Sequence, residues 1–330
     1  MHILITGAAG MIGRKLTEAL VARGTVRGQA ITALTLVDVV PPVLPDGIPG
    51  AALSADLADP AAAPALIESR PDVIFHLAAI VSGEAEADLP KGYAVNLHGT
   101  IGLCEAIAAQ EGYCPRFVFT SSIAVFGAPL PDVIPDDQPT RPLTSYGTQK
   151  AMGELLISDL SRRGVLDGIA LRLPTICIRP GKPNAAASGF YSSILREPLT
   201  GQEAVLPVPE TTRHWFASPR AAVGFLLHAA EMDLSQLGPD RALSLPGVDA
   251  TVGEEIAALE RAAGPAATRL IRREGDETVA GIVAGWPQAF DPVRARALGF
   301  EAEPDMDAII RAHIEDELGG RIPVAEDGAD

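Results

Sequence analysis

Tyr146 and Lys150 stand four residues apart in Ser145-Tyr146-Gly147-Thr148-Gln149-Lys150, a segment whose pattern predicts a helix over 145–163. At that spacing two side chains project from one helical face. An ammonium beside a phenol favours the phenolate and draws the tyrosine towards the working pH. Such a tyrosine can take a proton from a hydroxyl of a small molecule, or return one to a carbonyl. Upstream, the apolar run Phe117 to Thr120 ends in Ser121 and Ser122, and a hydroxyl from Ser122 can hold the same substrate oxygen.

A second constellation lies at the start of the chain. Gly7-Ala8-Ala9-Gly10-Met11-Ile12-Gly13 is a GxxGxxG turn between the β-branched run His2 to Thr6 and the helically spaced segment Met11 to Arg23. Glycines there permit a tight turn and a close approach of backbone to a pyrophosphate, which the free N–H groups and positive dipole end of the following helix attract. Asp38 closes the next apolar run, Ala33 to Asp38. A carboxylate at such a strand end can accept hydrogen bonds from both ribose hydroxyls of an adenosine and repels a 2′-phosphate. Neither Arg nor Lys follows closely behind Asp38, so the pattern selects NAD over NADP. Asp56 and Leu57 follow a short apolar run and suit a place by the adenine. Leu77, Ala78 and Ala79 offer backbone and small side chains to a cofactor, while His76 before them reads as a packed strand residue.

These residues need elements to hold them. Strands are expected at 2–6, 33–38, 72–79, 116–122 and 168–173, alternating with helices at 11–23, 89–109 and 145–163. That alternation predicts an α/β protein, a Rossmann-type doubly wound parallel sheet wrapped by helices, over residues 1–173. After Pro174 the rhythm breaks, and Pro and Gly cluster as far as Pro209 with few regular elements. A helix over 219–231, a strand near 243–245 and a capping box, Thr251 to Glu254, opening a helix to about Ala263 follow, and the remaining segments are short. Residues 174–330 are therefore expected to form a smaller C-terminal substrate-binding lobe interleaved with the last strands of the sheet.

The formal net charge of -16 opposes nucleic acid and anionic membrane surfaces as partners. An anionic substrate would need local Arg or Lys. Three cysteines, Cys104, Cys114 and Cys177, form neither a disulfide framework nor a metal spacing, and each is expected to be a small buried hydrophobe in a reducing cytoplasm. With a core strand expected from His2 there is no room for a signal peptide, and no apolar run is long enough to span a bilayer. The acidic segment 323–330 is expected to be loose.

Taken together, GxxGxxG, Asp38, Asp56-Leu57, His76-Leu77-Ala78-Ala79, the serine-ended strand and YxxxK resemble the extended short-chain dehydrogenase/reductases, which include sugar-nucleotide epimerases and dehydratases, over about residues 1–180. The resemblance implies NAD as cofactor, no metal, and Ser122, Tyr146 and Lys150 as a catalytic triad. Ser122 is favoured over Ser121 because it lies five residues before Gly127, as the family's catalytic Ser or Thr does. It further implies that Asn96 is the active-site asparagine, holding the helix and a water that relays protons to the lysine. Pro174 becomes the residue whose neighbouring backbone meets the nicotinamide carboxamide. In relatives the equivalents of the helices over 89–109 and 145–163 form a dimer interface, so a homodimer is expected.

Two segments, 173–184 and 213–220, depart from the sugar-nucleotide pattern. The stretch from Arg179 to Phe190, continued by Arg196-Glu197-Pro198-Leu199, is similar to that of D-erythronate dehydrogenases, family members that oxidise a four-carbon sugar acid at C2 to a 2-oxo acid. NAD-dependent oxidation of a small anionic sugar acid is the function this implies, with a nucleoside-diphosphate-sugar 4-epimerase as the alternative. Arg179, Lys182 and Arg213 are then candidates to clamp the carboxylate, and Asn184 and Ser188 to address the remaining hydroxyls.

Overall fold

The structure, a computed structural model, describes residues 1–181 and 188–323. Lys182, Asn184 and the acidic segment from 324 onward lie outside the described residues. The chain divides into two compact units, one built from 1–125, 140–173 and 223–245, the other from 126–139, 174–222 and the chain from 246 on.

In the first unit seven parallel strands form one sheet, in the order Ala242–Ser244, Asp167–Leu173, Arg116–Ser122, Val73–His76, His2–Thr6, Ala33–Asp38 and Gly50–Ser54. Strands covered on both faces read as continuous apolar runs, and Ile3, Leu4, Ile5, Ile74, Phe117, Val118, Phe119 and Ile169 are fully buried. Each such side chain stabilises the fold by roughly 1.5–3 kcal/mol relative to exposure. The strand order reverses direction between His2–Thr6 and Val73–His76. In a doubly wound sheet that switch point opens a crevice at the carboxyl ends of the two strands.

Three local expectations need correction. The third strand is shorter than 72–79: it is Val73–His76, and residues 77–79 leave the sheet to line the crevice. The long helix over 89–109 is broken into Leu89–Gly92, a π-helical turn over Tyr93–His98, and Gly99–Ala108. Apolar spacing alone does not separate a π turn from an α turn, so the break was not legible. Cys104 and Cys177 are buried as expected, but Cys114 is exposed at the mouth of the strand Arg116–Ser122.

The second unit holds a three-stranded sheet in which Arg213–Ala217 pairs parallel with Thr175–Ile176 and antiparallel with Val248–Thr251. A helix, Gly189–Leu199, lies where few regular elements were expected; its Gly and Pro sit at its ends, Gly189 first and Pro198 next to last, where they do not break it. The expected capping box is present. Thr251 Oγ1 accepts from the Glu254 N–H, the Glu254 carboxylate accepts from the Thr251 N–H, and the helix runs on past Ala263 to Thr268 across a kink at Gly264 and Pro265. A further helix, Met306–Glu317, packs Ile309 and Ile310 into a core with Tyr191, Phe216 and Leu259. Among the described residues no helix is long and apolar enough to cross a membrane.

Candidate active site

The glycine turn begins where the strand His2–Thr6 ends. Gly7 has φ +76°, and a Cβ there would stand 2.7 Å from the Ala78 nitrogen, so only glycine lets the turn lie against the strand-end segment 77–79. A Cβ on Gly13 would meet the Gly7 carbonyl oxygen at 2.2 Å, which is why the helix Met11–Arg23 can start directly on the turn. Gly10 caps that helix without a side-chain hydrogen bond, so no side chain occupies the first-turn N–H groups; Gly10 lines the cavity, whereas Met11, Ile12 and Gly13 are not among its lining residues.

A cavity of about 500 Å³ occupies the crevice. Of the residues expected at the cofactor, Gly7, Gly10, Asp38, Asp56, Leu57, Leu77, Ala78 and Ala79 all line it. Val95, Glu84 and Lys91 line it too and were not foreseen; Lys91 and Val95 come from the broken helical region, and Glu84 from a short helix before it, Ser82–Ala87. Asp38 is tied down on both oxygens: Oδ2 accepts from the Ala9 N–H at 3.0 Å and Oδ1 from the Val40 N–H at 3.3 Å. Each carboxylate oxygen has two acceptor sites, so the same contacts that aim Asp38 leave it able to accept hydroxyl protons. A Cβ built on Gly99 would stand 3.0 Å from Leu57 Cβ, so glycine there lets the helix lie close behind Leu57 on the cavity wall.

The second half of the site rides on the helix Ser145–Arg162, capped by Thr144 Oγ1 accepting from the Gly147 N–H. Gly147 packs against the turn that follows Ser122: a Cβ would lie 2.1 Å from the Ala124 carbonyl oxygen. That approach brings Tyr146 to the end of the serine strand. Lys150 is 2% exposed and donates to the Thr120 carbonyl at 2.7 Å; its Nζ lies 4.8 Å from the centre of the Phe119 ring and 5.7 Å from that of Tyr146. Burial pulls the Lys150 ammonium down to about 7, and the Glu154 carboxylate pulls it the other way.

The two serines have separate partners. Ser121 Oγ donates to Glu154 Oε1 at 2.5 Å, inside the protein. Ser122 is half-buried and its Oγ accepts from the Ala124 N–H at 3.1 Å, so the hydroxyl proton is its remaining donor. Alternation along the strand accounts for the split: Ser121 is taken up by the buried Glu154, and Ser122 is not.

Asn96 sits on the π turn and is 1% exposed. Its Oδ1 accepts from the Ile80 N–H at 2.8 Å, and its Nδ2 donates to the Ile80 carbonyl at 3.2 Å and to Gln149 Oε1 at 2.8 Å. It thus links the cavity-lining loop to the Tyr146–Lys150 helix. His76 is a bridge as well. Thr100 gives its hydroxyl proton to the Asn96 carbonyl, so it must accept from His76 Nε2–H, and Nδ1 then accepts from the Thr6 hydroxyl. Burial, with the charge of Lys150, pulls His76 down to about 3 and keeps it neutral. This agrees with its reading as a packed strand residue.

Within the second unit, Pro174 is buried. Arg179 Nη2 donates to the Ser188 carbonyl at 3.1 Å and to Ser188 Oγ at 2.7 Å, so these two expected residues do meet. Arg196, not foreseen, donates to the Arg179 carbonyl at 2.6 Å and pairs with Glu197. Arg213 forks onto Asp249 in an ion pair that is 40% exposed on the arginine side. Among the described residues no group of three or more His, Cys, Asp or Glu is placed to hold a metal ion.

The geometry is matched by known proteins. The model of the NAD-dependent epimerase/dehydratase family fits residues 3–232. The chain is 48% identical to the D-erythronate dehydrogenase of Cupriavidus necator, over 96% of this chain and 98% of that one, and 43% identical to the D-erythronate dehydrogenase of Haemophilus influenzae, over 96% and 99%. A crystal structure described as a nucleoside-diphosphate-sugar epimerase from Agrobacterium tumefaciens superposes with a TM-score of 0.96 at 61% identity, covering 98% of this chain and 96% of that one.

Proposed function

The chain belongs to the NAD-dependent epimerase/dehydratase family, and on that premise we propose that it oxidises D-erythronate at C2, with NAD as cofactor. The observation that carries the reading is that likeness to the D-erythronate dehydrogenases runs through both units, so it includes the segments around Arg179 and Arg213 where the chain departs from sugar-nucleotide enzymes.

The crevice suits NAD. Gly7 and Gly13 leave backbone exposed where any Cβ would clash, Gly10 leaves the helix N-terminus uncapped by a side chain, and Asp38 is held at the second strand's end. Those residues, with Asp56, Leu57 and the segment 77–79, would hold the dinucleotide. When bound, NAD supplies the hydride acceptor. The protein's own share is proton handling and orientation. Tyr146, as phenolate, takes the proton of the C2 hydroxyl; Ser122 donates a hydrogen bond to the same oxygen; Lys150 keeps the phenolate accessible near neutrality. Asn96 fixes the helix that carries them. Within the second unit Arg179 donates to Ser188 and Arg213 pairs with Asp249, and both arginines stay candidates for the substrate carboxylate.

Purified protein mixed with NAD and D-erythronate is expected to produce NADH steadily. NADP in place of NAD should give at least about tenfold less, because Asp38 would face a 2′-phosphate. The second reading, an epimerase, is motivated by the description of the Agrobacterium structure. It predicts no net NADH and interconversion of a sugar nucleotide instead. That pair of outcomes would sink the dehydrogenase assignment.

We also take the chain to be a homodimer through the helices Gly99–Ala108 and Ser145–Arg162. Met152 and Leu155 on the latter are 42% and 71% exposed, an apolar strip that a second copy would cover. Light scattering should give twice the chain mass of 34.4 kDa, and a monomer mass refutes the pairing.

A further inference from the structure

Below Lys150 the structure holds a buried charged bracket that the mechanism above does not use. Glu154, one helical turn after Lys150, is 4% exposed. Arg172, in the strand Asp167–Leu173, is 7% exposed and forks onto it, Nε to Oε1 at 3.0 Å and Nη2 to Oε2 at 2.8 Å. Ser121 adds a third bond to Oε1. The three members come from three elements, and each is tied closely to a residue of the site. Ser121 precedes Ser122, Arg172 lies two residues before Pro174, and Glu154 shares a helix with Tyr146 and Lys150.

A buried ion pair is weak evidence for stability, since removing two charges from water costs about as much as their attraction returns. This one has a more specific consequence. Glu154 and Lys150 are at i and i+4, neighbours on one helix face, and both are shielded from water, where a charge is felt strongly. Lys150 has one hydrogen bond to a neutral carbonyl, that of Thr120, the residue before Ser121. The titratable and charged groups around it are His76 from the strand Val73–His76, Tyr146 and Glu154 from its own helix, and Arg172 from the strand Asp167–Leu173. His76 is neutral and Arg172 is positive, so apart from Tyr146 itself, when it is a phenolate, Glu154 is the group that favours a cation there.

We propose that Glu154, fixed by Arg172 and Ser121, is the counter-charge that keeps Lys150 an ammonium beside Tyr146. It is a positioning residue: it touches neither substrate nor cofactor and acts through Lys150. The inference rests on the reading of Tyr146 and Lys150 as the reactive pair, but its test does not require turnover.

The chain has only four lysines, Lys15, Lys91, Lys150 and Lys182, so protein labelled with ¹³C at lysine Cε gives a spectrum in which Lys150 is assigned by its loss in Lys150→Met. The midpoint of its titration is then followed in the wild type, Glu154→Gln and Arg172→Gln, each checked for folding by circular dichroism. Glu154→Gln should lower the midpoint by about one pH unit, and Arg172→Gln, which removes a cation from the same enclosure, should raise it. The alkaline limb of the kcat/KM profile for D-erythronate should move in the same two directions. A bracket that only holds the fold together moves neither midpoint. If one variant does not fold, the direction in the other decides, and an unmoved midpoint in a folded variant overturns the proposal. A wild type that makes no NADH, with midpoints that still move as stated, would count against the sugar-acid reading and not against the role of Glu154.

Discussion

Tyr146→Phe should lower kcat for D-erythronate by about 10³-fold or more and leave the Kd for NAD within about threefold of wild type. The rate loss follows from removing the atom that we propose takes the proton. General acid–base groups contribute about 10²- to 10⁴-fold, and Tyr146 is the titratable side chain placed over the Lys150 ammonium at the end of the serine strand. The spared affinity follows from what the substitution keeps. Phenylalanine retains the ring, the helix cap at Thr144 is untouched, and the cavity residues Gly7, Gly10 and Asp38 belong to other elements. Steady-state kinetics and quenching of protein fluorescence by NAD measure the two quantities separately. Loss of both together would mean that the variant disturbs the cofactor site, and near-normal turnover would remove Tyr146 from the chemistry.

The cofactor half of the site was legible because its chemistry restricts residue type at fixed offsets. Gly7 and Gly13 can be nothing else where a Cβ meets backbone under 3 Å away, and Asp38 ends a strand whose apolar run announces it. The elements that carry Tyr146, Lys150 and Ser122 were legible from apolar spacing: a helix opening at Ser145 and a strand ending at Ser122. What escaped was set by partners distant in the chain. The π turn that aims Asn96 inward has the apolar spacing of an ordinary helix. The helix Gly189–Leu199 was hidden by a Gly and a Pro that prove to be terminal. The bracket under Lys150 did leave a trace: Arg172 interrupts the otherwise apolar strand Ile169-Ala170-Leu171, and Glu154 falls on the inward face of its helix four residues after Lys150. A charge inside a buried strand requires a buried partner, and an acid one turn beyond a functional lysine was the place to look. Arg196 left no such trace, because its bond is to the backbone of Arg179.

Gly147→Ala tests whether catalysis depends on the seating of the helix as well as on the side chains it carries. In an open helix interior the change would favour the fold, since Ala is better than Gly by about 1 kcal/mol. Gly224, in the helix Pro219–Glu231, has nothing within 4 Å of a built Cβ and serves as the control that should gain stability or stay neutral. At 147 the added carbon would lie 2.1 Å from the Ala124 carbonyl oxygen and 3.0 Å from Pro142 Cβ. Both the oxygen and the turn that bears it, Ile123–Val125, are fixed, so the helix must give way. Overpacking of this kind costs typically about 1–3 kcal/mol, which would outweigh the gain in propensity. The larger effect should fall on rate. Tyr146 precedes the displaced residue and Ser122 precedes the turn it pushes on, so the two hydroxyls proposed to share one substrate oxygen would move apart. A misplacement of about 1 Å can cost about 10²-fold. We expect kcat to fall by about that factor, the melting temperature to drop relative to Gly224→Ala, and NAD affinity to hold, because the crevice at Gly7 and Asp38 is built from other strands. Unchanged kcat in a folded Gly147→Ala protein would show that the helix can shift without consequence, and that the close approach to Ala124 serves packing alone.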